Sequence, residues 1–167
     1  MVNSRRKGQT AERKLVKLFA TWWDSKFFRT PGSGAFATRG FVGVDTTQLS
    51  GDLVTTDVTF PFCVESKKVE GWTLEQMLSS TRTKMHDWWE QTLRETPEGK
   101  IPLLVFTKNH APLYAMMLLR DVEAVLTKNY FNFFPGSFET RIDDQVVVIF
   151  LLDHLLKTQK GNWIYGR

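Results

Sequence analysis

Between residues 9 and 23 the apolar side chains recur at helical spacing. Advancing about 100° per residue, Val16, Phe19 and Trp23 fall on one line with Leu15 close beside it, while Arg13, Lys14 and Lys17 take another face. The pattern predicts an amphipathic helix with one anomaly, because Glu12 falls on the apolar line. Burying an unpaired carboxylate is unfavourable. Glu12 should therefore meet a metal or a basic group, or sit half-exposed at the edge of the stripe. Ahead of the helix, residues 1–8 are polar and basic and read as a flexible arm.

Residues 26–29 read as a short extended piece, followed by T-P-G-S-G-A-F. Pro31, Gly32 and Gly34 enforce a loop there, in which Ser33 offers a hydroxyl. Residues 35–50 have no period and are expected to form an irregular loop over the segment that follows. Residues 51–56 and 62–68 read as neighbouring strands. Alternation sends Glu65 and Lys67 to one face and Val64 and Ser66 to the other, and Asp52 can approach Glu65 across the pair.

Gly71 breaks the chain. Thr73 with Gln76 forms a capping box, and Leu74, Met77, Leu78, Thr81, Met85, Trp88 and Trp89 predict one helical stripe running to about Glu95, read as core packing. Residues 101–107 form a buried strand, 109–112 a turn and 113–118 a second strand, so a hairpin is expected. Residues 120–127 predict a short helix, 130–137 an aromatic irregular stretch, 145–151 a strand and 153–157 a helical turn. The aromatics over 130–134 suit a core role, or a dimer surface if they are exposed. No repeat or linker divides the 167 residues, so one mixed α/β domain is expected over 1–167.

Charge alters this picture. Residues 1–40 hold nine Lys/Arg against two acids, a balance of +7, whereas the remaining residues hold thirteen against sixteen, or −3. A basic block on a slightly acidic body suits a polyanion, although a solvated helix face would have the same composition. The single cysteine, Cys63, excludes an internal disulfide. No apolar run has the length of a membrane span, and the charged N-terminus has no signal core, so a cytoplasmic protein is expected, cellular or of a virus acting in its host. His86, His110 and His154 share no zinc-ligand spacing, and no phosphate-binding glycine motif occurs. Two carboxylates beside an ammonium, as in Asp52, Glu65 and Lys67, suit a hard divalent cation and a phosphodiester. A surface hairpin with an ordinary Glu–Lys pair would read the same way.

Four pieces occur in order: K7-G8-Q9-T10-A11-E12-R13, P31-G32-S33-G34, G51-D52-L53-V54 and V64-E65-S66-K67. Together they resemble the PD-(D/E)xK nuclease superfamily, and within it the archaeal-type Holliday junction resolvases. The resemblance covers roughly residues 5–68 and leaves 127–167 as a C-terminal extension without a counterpart. Gly51 stands where the superfamily name has proline. The stretch between Ser33 and Asp52 is longer than in compact archaeal resolvases.

The resemblance implies a restriction-endonuclease-like fold, a central mixed sheet flanked by helices. It also implies Mg²⁺-dependent hydrolysis of DNA to 5′-phosphate and 3′-hydroxyl ends, with Mn²⁺ substituting. Asp52, Glu65 and Glu12 would be the metal ligands, with the backbone carbonyl after Glu65 as a further one. Lys67 would orient the attacking water or stabilise charge on the phosphate, and Ser33 would contact the scissile phosphate. Arg5, Arg6, Lys7, Arg13, Lys14, Lys17, Arg29 and Lys68 would form the DNA-binding surface. A four-way junction as substrate would call for a homodimer. A nuclease for flaps, ends or duplex, and a DNA-binding relative without catalysis, are the alternatives.

Overall fold

In a computed structural model, residues 4–30, 50–78, 81–126 and 132–165 are described. Ser33 and the loop over 35–49 lie outside them. Helix α1 (Ser4–Trp23) leads into the short strand β1 (Phe27–Arg29), then β2 (Leu53–Thr55) and β3 (Phe62–Lys68). A 3₁₀ turn over Leu74–Leu78 and helix α2 (Lys84–Glu95) return the chain to β4 (Ile101–Thr107). After them come β5 (Tyr114–Leu118), α3 (Leu119–Leu126), β6 (Phe138–Ile142), β7 (Gln145–Leu151), α4 (Leu152–Leu155) and α5 (Lys160–Tyr165).

The described strands form one seven-stranded sheet in the order β1-β2-β3-β4-β5-β7-β6. It is a mixed sheet. β3 and β4 run parallel, from Phe62↔Ile101 to Lys68↔Thr107, and the other neighbours are antiparallel. Parallel strands need a crossover, and α2 supplies it. Every residue of β4 is buried because both faces of the sheet are covered. Leu103 and Val105 pack beneath Leu15, Phe19 and Trp23 of α1, together with Val122 and Leu126 of α3. Leu104 and Phe106 project the other way, into a second cluster with Trp72, Met85 and Trp89. The architecture is the helix-flanked mixed sheet of a restriction-endonuclease-like fold.

Several boundaries differ from the pattern. Helix α1 starts at Ser4, five residues before its apolar stripe, and so takes up much of the basic segment read as an arm. The single stripe predicted from Thr73 to Glu95 is two elements. Thr83 caps α2: its hydroxyl accepts the Met85 amide, and the His86 ring accepts the Thr83 amide, which stops the preceding turn from continuing. The Thr73 amide does donate to Gln76 Oε1, at 3.2 Å, but onto a 3₁₀ turn. Strand β6 and helix α5 were not foreseen. Asp143 (φ 52°) and Asp144 make the tight turn between β6 and β7, so these acids serve a hairpin. Phe134, in the aromatic stretch read as core or dimer surface, is buried and stacks on Phe150, with ring centroids 4.0 Å apart.

Candidate active site

The acids converge where β2 meets β3, and the backbone explains how. Leu53 pairs with Val64, and the Asp52 amide also donates to the Val64 carbonyl at 2.8 Å. Two consecutive residues thus face one, the count of a β-bulge, which re-aims a side chain. Gly51 precedes them at φ +79° and lies so close to β3 that a Cβ there would stand 2.5 Å from the Val64 carbonyl oxygen. Proline, with φ held near −65°, cannot adopt this conformation. The departure of Gly51 from the superfamily's proline therefore has a steric cause. Thr30 anchors the same spot, its hydroxyl donating to the Gly51 carbonyl at 2.5 Å and its amide to the Asp52 carbonyl at 3.0 Å.

The bulge delivers the Asp52 carboxylate to the edge of β3, where Oδ2 accepts the Ser66 amide at 2.8 Å. A strand residue's N–H and C=O point to the same edge, so the Ser66 carbonyl faces Asp52 as well. Burial raises the Asp52 carboxyl above its usual range; the Ser66 hydrogen bond opposes this, and the charge of Glu12 adds to it.

Glu65 is buried, with 4% of its surface exposed. Its Oε1 accepts from Lys67 Nζ at 2.6 Å and from Gln91 Nε2 at 3.0 Å. Burial, then the Asp52 charge, pushes its carboxyl up to about 7, although Lys67 opposes the shift. Gln91 sits on α2 and holds both members of the pair, because its Oε1 accepts from Lys67 Nζ at 2.9 Å. Its Nε2 also donates to Glu95 Oε1 at 2.9 Å, and Glu95 adds negative charge to the site. Neither Gln91 nor Glu95 was anticipated. The available signal was their i, i+4 spacing on the crossover helix, hidden beside the Trp88 and Trp89 stripe.

Glu12, predicted among the metal ligands, stands against a basic side chain. Arg29, from β1, donates Nε to its Oε2 at 2.6 Å and approaches the same oxygen with Nη2 at 2.6 Å. A basic group thus answers the acid on the apolar line, and Arg29, expected to bind DNA, is engaged by it. Among the described residues no three His, Cys, Asp or Glu side chains form a metal-holding group. The donors that do meet are Asp52, Glu65 and the Ser66 carbonyl edge, all hard oxygens. Mg²⁺ characteristically takes one or two carboxylates and keeps several waters. Two carboxylates beside a carbonyl edge, the charge of Asp52 making that of Glu65 costlier, fit a divalent cation.

Of the remaining basic residues, Arg13, Lys14 and Lys17 are exposed on α1, and Lys68 ends β3. Arg5, Arg6 and Lys7 lie on the first two turns of α1. Asp57 caps a turn by accepting the Thr59 amide at 2.9 Å and the Ser25 hydroxyl at 2.8 Å. No described helix is long and apolar enough to cross a membrane.

Neither a search of curated proteins nor one of solved structures found a match. The model of a family described as "Phage putative PDDEXK endonuclease" matches residues 3–165, a span that includes every element from α1 to α5. That span takes in the acid-bearing strands, the crossover helix and the C-terminal hairpin alike, and the chain belongs to this family of PD-(D/E)xK endonucleases.

Proposed function

We propose that the protein is a Mg²⁺-dependent, structure-selective DNA endonuclease, a Holliday junction resolvase that leaves 5′-phosphate and 3′-hydroxyl ends. The observation that carries the nuclease chemistry is the Asp52–Glu65 carboxylate pair beside Lys67. The junction preference is supported by the K-G-x3-E-R start around Glu12 and by the glycine loop around Ser33.

In this reading Asp52 and Glu65, with the Ser66 carbonyl, hold a divalent cation, and Mn²⁺ substitutes. The cation supplies charge opposite the phosphate oxygens and a field that makes nearby water acidic. Lys67 Nζ, steadied by Gln91, orients the attacking water or stabilises charge developing on the phosphate. Glu12 completes the metal shell, directly or through water, once Arg29 leaves it, and Ser33 contacts the scissile phosphate. Arg5, Arg6, Lys7, Arg13, Lys14, Lys17 and Lys68 bind the backbone, with Arg29 joining if DNA draws it from Glu12. The enzyme works as a homodimer inside the infected cell.

The deciding experiment compares a labelled four-way junction with its linear duplex, in Mg²⁺ and in EDTA, for wild type and Glu65→Ala. Paired symmetric nicks on the junction alone, absent in both controls, are expected, together with a dimer mass on gel filtration. Equal cutting of the duplex would leave a flap, end or duplex nuclease in place of a resolvase. Binding without cutting in Mg²⁺, or in Mn²⁺ supplied in its place, would leave a DNA-binding relative, a reading that the closure of Arg29 on Glu12 favours.

A further inference from the structure

At the carboxyl ends of β3 and β4 a cavity of about 270 Å³ opens between α1 and the β4–β5 turn. It adjoins the candidate active site but lies on the other side of the sheet. Glu65 and Lys67 face α2, whereas Lys68, the next residue, alternates toward α1. Lys14 and Lys68 line it, with Thr10, Asn109 and His110 at its wall and no carboxylate among its lining residues.

One feature of the turn suits this cavity to an anion. Thr107 Oγ1 is buried 2.9 Å from the Pro112 carbonyl and 3.2 and 3.3 Å from those of Lys108 and Ala111. The turn's acceptor oxygens therefore converge on a buried hydroxyl. His110 sits at φ 59°, and Glu70 Oε1 accepts the Asn109 amide at 3.0 Å, which ties the turn to the end of β3. Lys108 contributes only its stem, because its ammonium donates to the Trp72 carbonyl at 2.9 Å and stands 4.9 Å over the Trp72 ring.

Lys14 and Lys68 differ from the other two cations near the site. Arg29 and Lys67 are each paired with a carboxylate, whereas neither Lys14 nor Lys68 has a carboxylate partner among the described residues. Two like charges facing one groove repel each other, and an anion between them removes that repulsion.

We propose that this groove seats a backbone phosphate of DNA next to the one cut, held by Lys14 and Lys68 with Asn109 and His110 at its rim. The proposal rests on the nuclease reading above and adds to it the path of the strand. DNA crosses the carboxyl edge of the β3–β4 pair, one phosphate on each side of the sheet.

The test is fluorescence anisotropy of a labelled duplex in EDTA, which allows binding without cutting, titrated with salt. For Lys14→Ala/Lys68→Ala, the slope of log affinity against log salt should become shallower by roughly one to two. Lys14→Arg/Lys68→Arg should restore the wild-type slope, and Asn109→Asp, which places an acid in the groove, should weaken binding with unchanged thermal stability. An unchanged slope in the alanine pair, or wild-type affinity in Asn109→Asp, overturns the groove while leaving the nuclease reading untouched. Wild type that binds with the expected slope yet cuts neither junction nor duplex once Mg²⁺ is supplied overturns the nuclease and leaves the groove standing. Wild type that does not bind DNA overturns both.

Discussion

Glu65→Gln should destroy cleavage while making the metal-free protein more stable. Glu65 titrates at 4.5 in an unfolded chain and at about 7 in the fold, raised by burial and then by Asp52. At about 1.4 kcal/mol per pKa unit, that difference corresponds to about 3 kcal/mol. Its sign follows from where the proton sits. Below pH 4.5 both states hold it; between 4.5 and 7 only the folded state does, so stability falls as pH rises through that window. Above pH 7 the whole contribution is gone.

Glutamine mimics the protonated acid at every pH and can still accept from Lys67 and Gln91. The variant should therefore match wild type near pH 4.5 and exceed it at pH 8. The gap is about 3 kcal/mol, or roughly 6 to 12 °C in Tm for a chain of this size. Thermal unfolding of both proteins in EDTA from pH 4.5 to 8 reads this out. A difference at pH 8 no larger than at pH 4.5 would refute the claim that Glu65 ionises at a cost. Asp52, raised chiefly by its own burial, adds a slope of the same sign to both proteins.

Adding Mg²⁺ or Mn²⁺ at pH 8 should stabilise wild type, by about 2.7 kcal/mol at a hundredfold excess over Kd. Chelation should reverse the gain, and Asp52→Asn should abolish it; a metal shift retained in that variant places the cation elsewhere. Gly51→Ala meets both a positive φ and the Val64 carbonyl, and should lose about 2 to 3 kcal/mol. Urea unfolding within about 0.5 kcal/mol of wild type would contradict the bulge. Gln91→Ala removes hydrogen bonds to both Glu65 and Lys67 and should slow single-turnover cleavage about tenfold. A rate within twofold of wild type would show that Lys67 needs no support from α2.

The strands and the acids were legible because unbroken apolar runs such as residues 101–107 report burial on both faces directly. In the same way, E-x-K on a strand places two side chains on one face whatever surrounds them. What the sequence hid was tertiary. Nothing local in Arg29 indicates that it closes on Glu12, seventeen residues away. Gln91 is an unremarkable helix residue until the β3–α2–β4 crossover lays it over Lys67. The break at Thr83 was obscured by apolar residues on both sides of it, and strand β6 because its turn uses Asp143 and Asp144 where asparagine and glycine are the familiar signal. Helix α5 is anchored by the buried Trp163, whose Nε1 donates to Thr158 Oγ1 at 2.8 Å.

The bulge at Gly51 also has a bearing on descent. A left-handed residue pressed against Val64 cannot be exchanged for proline in one substitution, because proline would swing Asp52 off the Ser66 amide before any compensating change could arise. Residue 51 and the bulge must therefore be inherited together. Relatives that share this backbone should keep glycine before the aspartate, and those that spell the motif with proline should bring their acid to the strand by an unbulged route. The two spellings then mark separate lineages of backbone geometry, and a search for the literal proline–aspartate pair would pass over this one.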